Sequence, residues 1–294
     1  MEQQVAVMNS FSFGNLRRPV IVGISMILFA TLLCRVEGRC GESSTKQPND
    51  TASHVKKRVL IVTGEDYKGH LWQTTAPLLK VLIRQDQRLA VDVVEDVNAL
   101  RSPRLREYDT IVLHFKNYDP ETPGRAAYDN LTEFVDQGGG LVVVHFACGA
   151  FQEFGSEFTT LAGRIWNPDF RGHDPYGEIT VEITDVDHPI TDGLAAFNTT
   201  DELYTCLDGK TPIEVLATAK SVVDNKIYPI AFVLSYGKGR VFHTPLGHDV
   251  AALGNSDTAE LLRRGTAWAS NLNIPAVKNQ PDTSSRPANI TTSP

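Results

Sequence analysis

The chain has 294 residues, 41% of them hydrophobic, and a formal net charge of -7. That is enough apolar material for one large or two small cored domains, and it excludes disorder for the bulk of the chain. The acidic balance argues against a nucleic-acid partner, which needs a basic face, and four cysteines are too few for a disulfide scaffold.

Residues 1–40 read as an export signal. Arg17 and Arg18 precede the apolar run Val20 to Leu33, and Val36-Glu37-Gly38 offers small residues near a cleavage point. A membrane span needs ~20 apolar residues, so the run favours a cleaved leader; left uncut, it would be an N-terminal anchor and the only membrane contact. Leu33 before Cys34 and Arg39 before Cys40 are poor lipoprotein contexts. Residues 41–56 are a polar linker, 57–275 the folded domain, and 276–294 a tail of disordered composition.

Arg58 to Thr63 is a short β-branched run that predicts a buried strand. The loop Gly64 to Gln73 carries His70 and Trp72, and Thr75 is placed as the N-cap of a helix through Arg84, with Pro77 in its first turn. Strands follow at Val91 to Val94 and Thr110 to His114, then a helix from Tyr128 to Val135 that stops at Gly138. Leu141 to Val144 has the length and branching of a central strand covered on both faces, and it delivers His145 and Cys148 to its carboxyl end. Beyond lie a short helix at Ser156 to Gly163, a long polar loop from Arg164 to Pro175, an outer strand at Ile179 to Ile183 and a turn at Asp185 to Gly193. Asp201 to Cys206 precedes a strand at Val215 to Thr218. The strands Ile230 to Ser235 and Arg240 to Thr244 flank Tyr236-Gly237-Lys238-Gly239 as a hairpin, and Ala259 to Ala269 closes the domain as an amphipathic helix. Strands alternating with helices predict an α/β fold, mostly parallel, with helices on both faces and antiparallel additions.

In such sheets ligands sit outside the carboxyl ends of the strands. His70, His145, His173 and His248 each follow a strand or lie in a glycine-flanked loop, so a shared rim pocket is expected. His70, His173 and His248 are candidate ligands for a divalent metal such as zinc, assembled from distant loops because no pair has helical i, i+4 spacing. His188 reads as a turn residue and His243 as a packed one, while His114 fits either kind of position. His145 could equally hydrogen-bond a loop carbonyl. Asp201 and Glu202 point to opposite sides of an extended segment, so one of them faces the pocket. Glu202 could then pair with a neutral histidine, or with Arg164 or Arg171. Cys148 could be a nucleophile at a strand-to-turn elbow, although no glycine stands two residues before it; a buried thiol is the plainer reading. Cys148 and Cys206 read as separate packed thiols rather than a disulfide. Trp72, Trp166, Tyr204 and Phe151 could offer flat apolar platforms to sugar rings.

Gly69-His70 followed by Thr74-Thr75-Ala76-Pro77, the run from Gly138 to Gly149 (GGGLVVVHFACG), RGHDP at 171–175, DHPIT at 187–191, DELYT at 201–205 and YGKGRVFHTPLGH at 236–248 occur in this order. Over Arg58 to Ala269 the chain thereby resembles the ThuA-like (trehalose utilisation) family. The resemblance implies a three-layer flavodoxin-like fold of the class I glutamine amidotransferase kind, and a link to trehalose and 3-keto-disaccharides. It places His70, His145, His173, Glu202 and His248 at the family's recurrent polar positions. An amidotransferase Cys-His-Glu triad does not follow, because Cys148 stands three residues beyond His145 in an altered elbow.

The expectation is an exported bacterial protein whose pocket acts on, or binds, a small carbohydrate, as a hydrolase or lyase. His145, His173 and Glu202 are its expected catalytic groups, and His70, Trp72, Cys148, Arg171, Tyr204 and His248 its expected substrate contacts. The alternatives are a sugar-binding or scaffold module that turns nothing over and a hydrolase that depends on Cys148. A homo-oligomer is left open.

Overall fold

The computed structural model describes residues 55–117 and 122–275. The expected export signal, nearly all of the linker and the tail therefore lie outside the described residues. Within them no helix is long and apolar enough to cross a membrane.

The strands are β1 (Lys57–Val62), β2 (Leu89–Val94), β3 (Thr110–Leu113), β4 (Gly140–Val144), β5 (Ile165–Trp166), β6 (Gly177–Ile183), β7 (Phe197–Asp201), β8 (Leu207–Asp208), β9 (Glu214–Lys220), β10 (Ile227–Tyr236) and β11 (Gly239–Thr244). The helices are α1 (Trp72–Ile83), α2 (Arg125–Asp136), α3 (Gly155–Ala162), α4 (Val250–Gly254) and α5 (Ser256–Ala269). Nine strands form one sheet in the order β2-β1-β3-β4-β11-β10-β9-β6-β7. From β2 to β11 neighbouring strands run parallel, and from β11 to β7 each pair is antiparallel.

Strict alternation in the central strands explains the three layers. Val59, Ile61, Val142 and Val144 pack with Leu79 and Ile83 of α1 and Leu261 and Leu262 of α5. Leu60, Val62, Leu141 and Val143 turn to the other face, against Leu131 and Phe134 of α2 and Phe158 and Leu161 of α3. A strand buried on both faces must be apolar at every position, which is the continuous run seen in the sequence. Each such side chain contributes about 1.5–3 kcal/mol by burial. Gly265 lets α5 lie directly on β11, since a Cβ there would meet the Phe242 ring at 2.2 Å.

Three local expectations shift. α1 starts at Trp72 rather than after Thr75, whose hydroxyl instead bonds back to the Leu71 carbonyl at 3.2 Å. Pro77 therefore sits in the second turn, where the bond it cannot make would run to Gln73, an exposed residue. β7 was not expected, because its inward positions are Phe197, Thr199 and Asp201, only one of them apolar. The loop from Arg164 to Pro175 is partly regular: β5 pairs with β8 in a two-residue antiparallel ladder.

The strand directions decide where the site falls. β1, β3, β4 and β11 all end on one rim, and four successive reversals, from β11 through β10, β9 and β6, bring β7 back to the same sense. The residues after β7 thus share the rim with those after β1, β3, β4 and β11, and so does the loop leading into β6.

Candidate functional site

His145 is the first residue after β4 and has a φ of +49°, a left-handed conformation uncommon outside glycine. It opens the tight turn His145–Gly149 and is wholly buried. Its Nδ1 lies 2.7 Å from the Pro245 carbonyl oxygen, which only accepts, so Nδ1 carries the proton and Nε2 presents a lone pair. The expected bond to a loop carbonyl is present, and the opposite edge of the ring faces the other rim side chains from behind the cavity wall rather than lining it.

The other side chains close around that Nε2. His70, from the loop after β1, brings its Nε2 to 3.1 Å, its ring stacked on Phe146 with centroids 4.5 Å apart. His248, beyond β11, brings Nδ1 to 3.3 Å, and the Tyr204 hydroxyl stands at 3.0 Å. Gly247, at a φ of +111°, turns the chain so that His248 reaches inward. Glu202 places Oε2 3.1 Å from His248 Nδ1 and 3.7 Å from His145 Nε2, and Oε1 3.6 Å from His173 Nε2. Asp201 faces the other way, as alternation requires, and accepts from the backbone N–H groups of Gly247 at 2.7 Å and His248 at 3.2 Å. It holds the loop that presents His248. His173 donates from Nδ1 to the Asp174 carbonyl at 2.7 Å, leaving Nε2 bare towards Glu202.

Burial lowers the pKa of His70 to about 4 and that of His145 well below the usual histidine value, so both rings are neutral. For His248 burial works the same way, but the hydrogen bond and charge of Glu202 outweigh it and the pKa rises. Burial alone would raise Glu202; the surrounding imidazoles, His248 first, bring it below the ordinary carboxyl value. Asp201 is pushed up to about 7 by burial against three backbone N–H donors.

His70, His173, Glu202 and His248 line a cavity of about 130 Å³ walled by Tyr67, Lys116, Phe146, Trp166 and Tyr204, with the wholly buried His145 behind them. That volume is close to the ~150 Å³ that holds one benzene ring, but here the space is part polar and open to solvent.

The rim brings together His70, His145, His173, Glu202, Tyr204 and His248. Other expected residues stand elsewhere. Trp72 hydrogen-bonds Asp66 at 2.8 Å from the first position of α1, so the indole that walls the cavity is that of Trp166. Arg171 is held by Asp174 and Asp224, with Ser221 alongside, and Arg164 binds the Gly163 and Thr211 carbonyls; neither pairs with Glu202. Phe151 is a core ring between Tyr128 and Phe158. Cys148 is fully buried, and burial holds its thiol well above the usual range, which removes it as substrate contact and as nucleophile. The elbow position belongs to His145. Cys148 and Cys206 are free thiols. His173 is not among the close donors: the group within 4.8 Å of one another, able to hold a metal ion, is His70, His145, Glu202 and His248.

Sequence reasoning missed Lys116 and Tyr67. Lys116 lies at the carboxyl end of β3, with Nζ 4.7 Å from the Trp166 ring centroid, and burial lowers its pKa. Applying the carboxyl-end rule to β3 as well as to β4 would have found it.

The fold and site define a three-layer, flavodoxin-like α/β protein with an imidazole-rich pocket at the carboxyl rim of its sheet. The family profile described as ThuA, trehalose utilisation, matches residues 58–269, and the chain belongs to that family. Membership gives it a carbohydrate-related role. A protein described as ThuA-like from Parabacteroides merdae is 25% identical with a TM-score of 0.66, over 76% of this chain and 94% of that one. One from Bacteroides uniformis is 21% identical with a TM-score of 0.60, over 74% and 94%. A Salmonella typhimurium protein titled cytoplasmic, 16% identical with a TM-score of 0.51 over 72% and 99%, shares the fold. No curated protein sequence matches the chain.

Proposed function

We propose that the protein is an exported enzyme acting on a small carbohydrate, trehalose or a 3-keto-disaccharide, with one sugar ring in the rim cavity. The observation that carries this reading is the placement of Glu202, its carboxylate within 3.1–3.7 Å of three imidazoles at the cavity floor. A half-buried carboxylate fenced by titratable imidazoles supports proton-transfer chemistry, because such perturbed groups cluster at reactive sites. The aromatic walls Trp166, Tyr67 and Tyr204 suit the apolar face of a pyranose.

A ketone at C3 acidifies the hydrogen on C2. His173, whose bare Nε2 borders the cavity, takes that proton; the C2 electron pair forms a double bond to C1 as the C1–O bond breaks, and the departing oxygen takes the proton back from the His173 imidazolium, releasing the second sugar as the alcohol and restoring the neutral imidazole. Tyr204 hydrogen-bonds a ring hydroxyl, and Glu202 fixes the imidazoles around the substrate.

Turnover of 3-keto-trehalose, followed by release of free glucose, tests the reading. His173→Ala and Glu202→Gln are each expected to lower kcat by about 10²–10⁴-fold, with the melting temperature unchanged. Sugar binding without glucose release by the unaltered protein would instead establish a binding module. Export is tested separately, by whether residues 1–40 carry a fused reporter across the inner membrane.

A further inference from the structure

We infer that His70, His145, His248 and Glu202 form a divalent-metal centre of the zinc class, with Nε2, Nε2, Nδ1 and a carboxylate oxygen as ligands. The inference stands on these four residues and does not depend on the carbohydrate reading of the cavity.

Distance is the first support. Four ligands ~2.0–2.1 Å from a zinc ion, at the corners of a tetrahedron, are about 3.3 Å from one another. The observed separations are 3.1 Å between His70 Nε2 and His145 Nε2, 3.3 Å between His145 Nε2 and His248 Nδ1, and 3.1 Å between His248 Nδ1 and Glu202 Oε2. The separation of His145 Nε2 from Glu202 Oε2 is 3.7 Å, and all four donors lie within 4.8 Å of one another.

Hydrogen bonding is the second. With its proton on Nδ1, His145 offers one lone pair at Nε2, and one lone pair takes one good hydrogen bond. It is faced by three groups: His70 Nε2, His248 Nδ1 and the Tyr204 hydroxyl at 3.0 Å. A shared cation accounts for this crowding, because each nitrogen then directs its lone pair to the same point.

Support around the ligands is the third. A ligating histidine normally donates its other ring N–H to a carbonyl or carboxylate, which fixes tautomer and orientation. His145 does so to Pro245, and Asp201 grips the backbone of both His248 and Glu202 at 3.2 and 2.8 Å. Three imidazoles and a carboxylate suit zinc and its neighbours and disfavour calcium or magnesium. A bound ion there would polarise an oxygen entering from the cavity.

The test is a zinc titration. Protein stripped with a chelator, and shown to be folded by circular dichroism, is titrated with Zn²⁺ in a calorimeter. One ion per chain is expected. His70→Ala and His248→Ala should each weaken binding by more than roughly a hundredfold, beyond the usual effect of losing a supporting partner, while His173→Ala stays within about threefold. No uptake by the unaltered protein, or uptake that survives His70→Ala, overturns the site. Should either variant fail to fold, X-ray absorption on the zinc-loaded natural protein decides. Nitrogen and oxygen neighbours alone, with imidazole scattering, support the site, whereas sulfur at ~2.3 Å would put the ion on cysteine and overturn it.

Discussion

The molecule buries two sets of histidines, and only one has the geometry of a site. His243 lies within β11 and His114 directly after β3, each with a private partner at one ring nitrogen: Thr63 Oγ1 at 3.1 Å from His114 Nδ1, and the Ala162 carbonyl at 3.0 Å from His243 Nδ1. Phenylalanine rings cover both, Phe146 over His114 and Phe232 against His243. At the rim, His70, His145 and His248 turn their ring nitrogens on one another and on Glu202. His243 and His248 are five residues apart in one segment, yet one fills the core and the other faces the cavity. Burial alone does not mark a site, since His145 is as buried as His114 and His243. Convergence is what separates them.

Substitutions can break that contrast. The largest effect is expected at Glu202, where Gln removes the carboxylate that fixes the imidazoles, the proton-accepting His173 among them, and should cost about 10²–10⁴-fold in turnover, whereas His243→Leu should leave turnover of the folded protein within about threefold. A comparable result from both variants would erase the distinction.

Acid should expose the private set next. Burial holds His243 at about 4 and His114 at about 3, against 6.5 for the free side chain. Below pH 6.5 the unfolded chain takes up protons that the native chain refuses, so stability is full above that pH and falls as pH drops towards 4. For His243 the loss reaches roughly 3 kcal/mol, from 1.36 kcal/mol per unit of pKa difference. Urea midpoints should therefore fall between pH 7 and pH 5, and His243→Leu should flatten the dependence; an unchanged slope would contradict the neutral niche.

Smaller effects sharpen the boundary of the rim. Asp201→Asn keeps the shape but weakens the hold on Gly247 and His248, so kcat should fall by about tenfold with little change in KM, as for other residues that only orient ligands. Trp72→Ala removes a surface bond to Asp66 and should change stability by less than about 0.5 kcal/mol and turnover not at all. Cys148→Ala should likewise spare turnover, and alkylating reagents should not inhibit. Inhibition by thiol reagents would return Cys148 to the chemistry.

How much of this could be read from residues alone follows from the same physics. β4 was legible because a strand covered on both faces must be apolar throughout, and His145 was legible because it ends that run. β7 was not, because Thr199 and Asp201 occupy its inward positions and erase the alternation a strand usually shows. Arg171 sits in a loop rich in polar residues, as a substrate contact would, but Asp174 and Asp224 lie where only the fold can put them. The exchange of His145 for His173 among the close donors is likewise a matter of ångströms: both follow the expected rim, and only coordinates show that His173 is held back by the Asp174 carbonyl. Trp166 and Trp72 were equal on sequence; the β5–β8 ladder sets one against the cavity and α1 carries the other to the surface.

The claim on which the rest depends is that the rim side chains act as one centre, and anomalous diffraction at the zinc absorption edge from zinc-soaked crystals tests it most directly. The account predicts a single strong peak roughly 2 Å from His70 Nε2, His145 Nε2, His248 Nδ1 and a Glu202 oxygen together. A map with no peak there, or with its strongest peak on other residues, would contradict it.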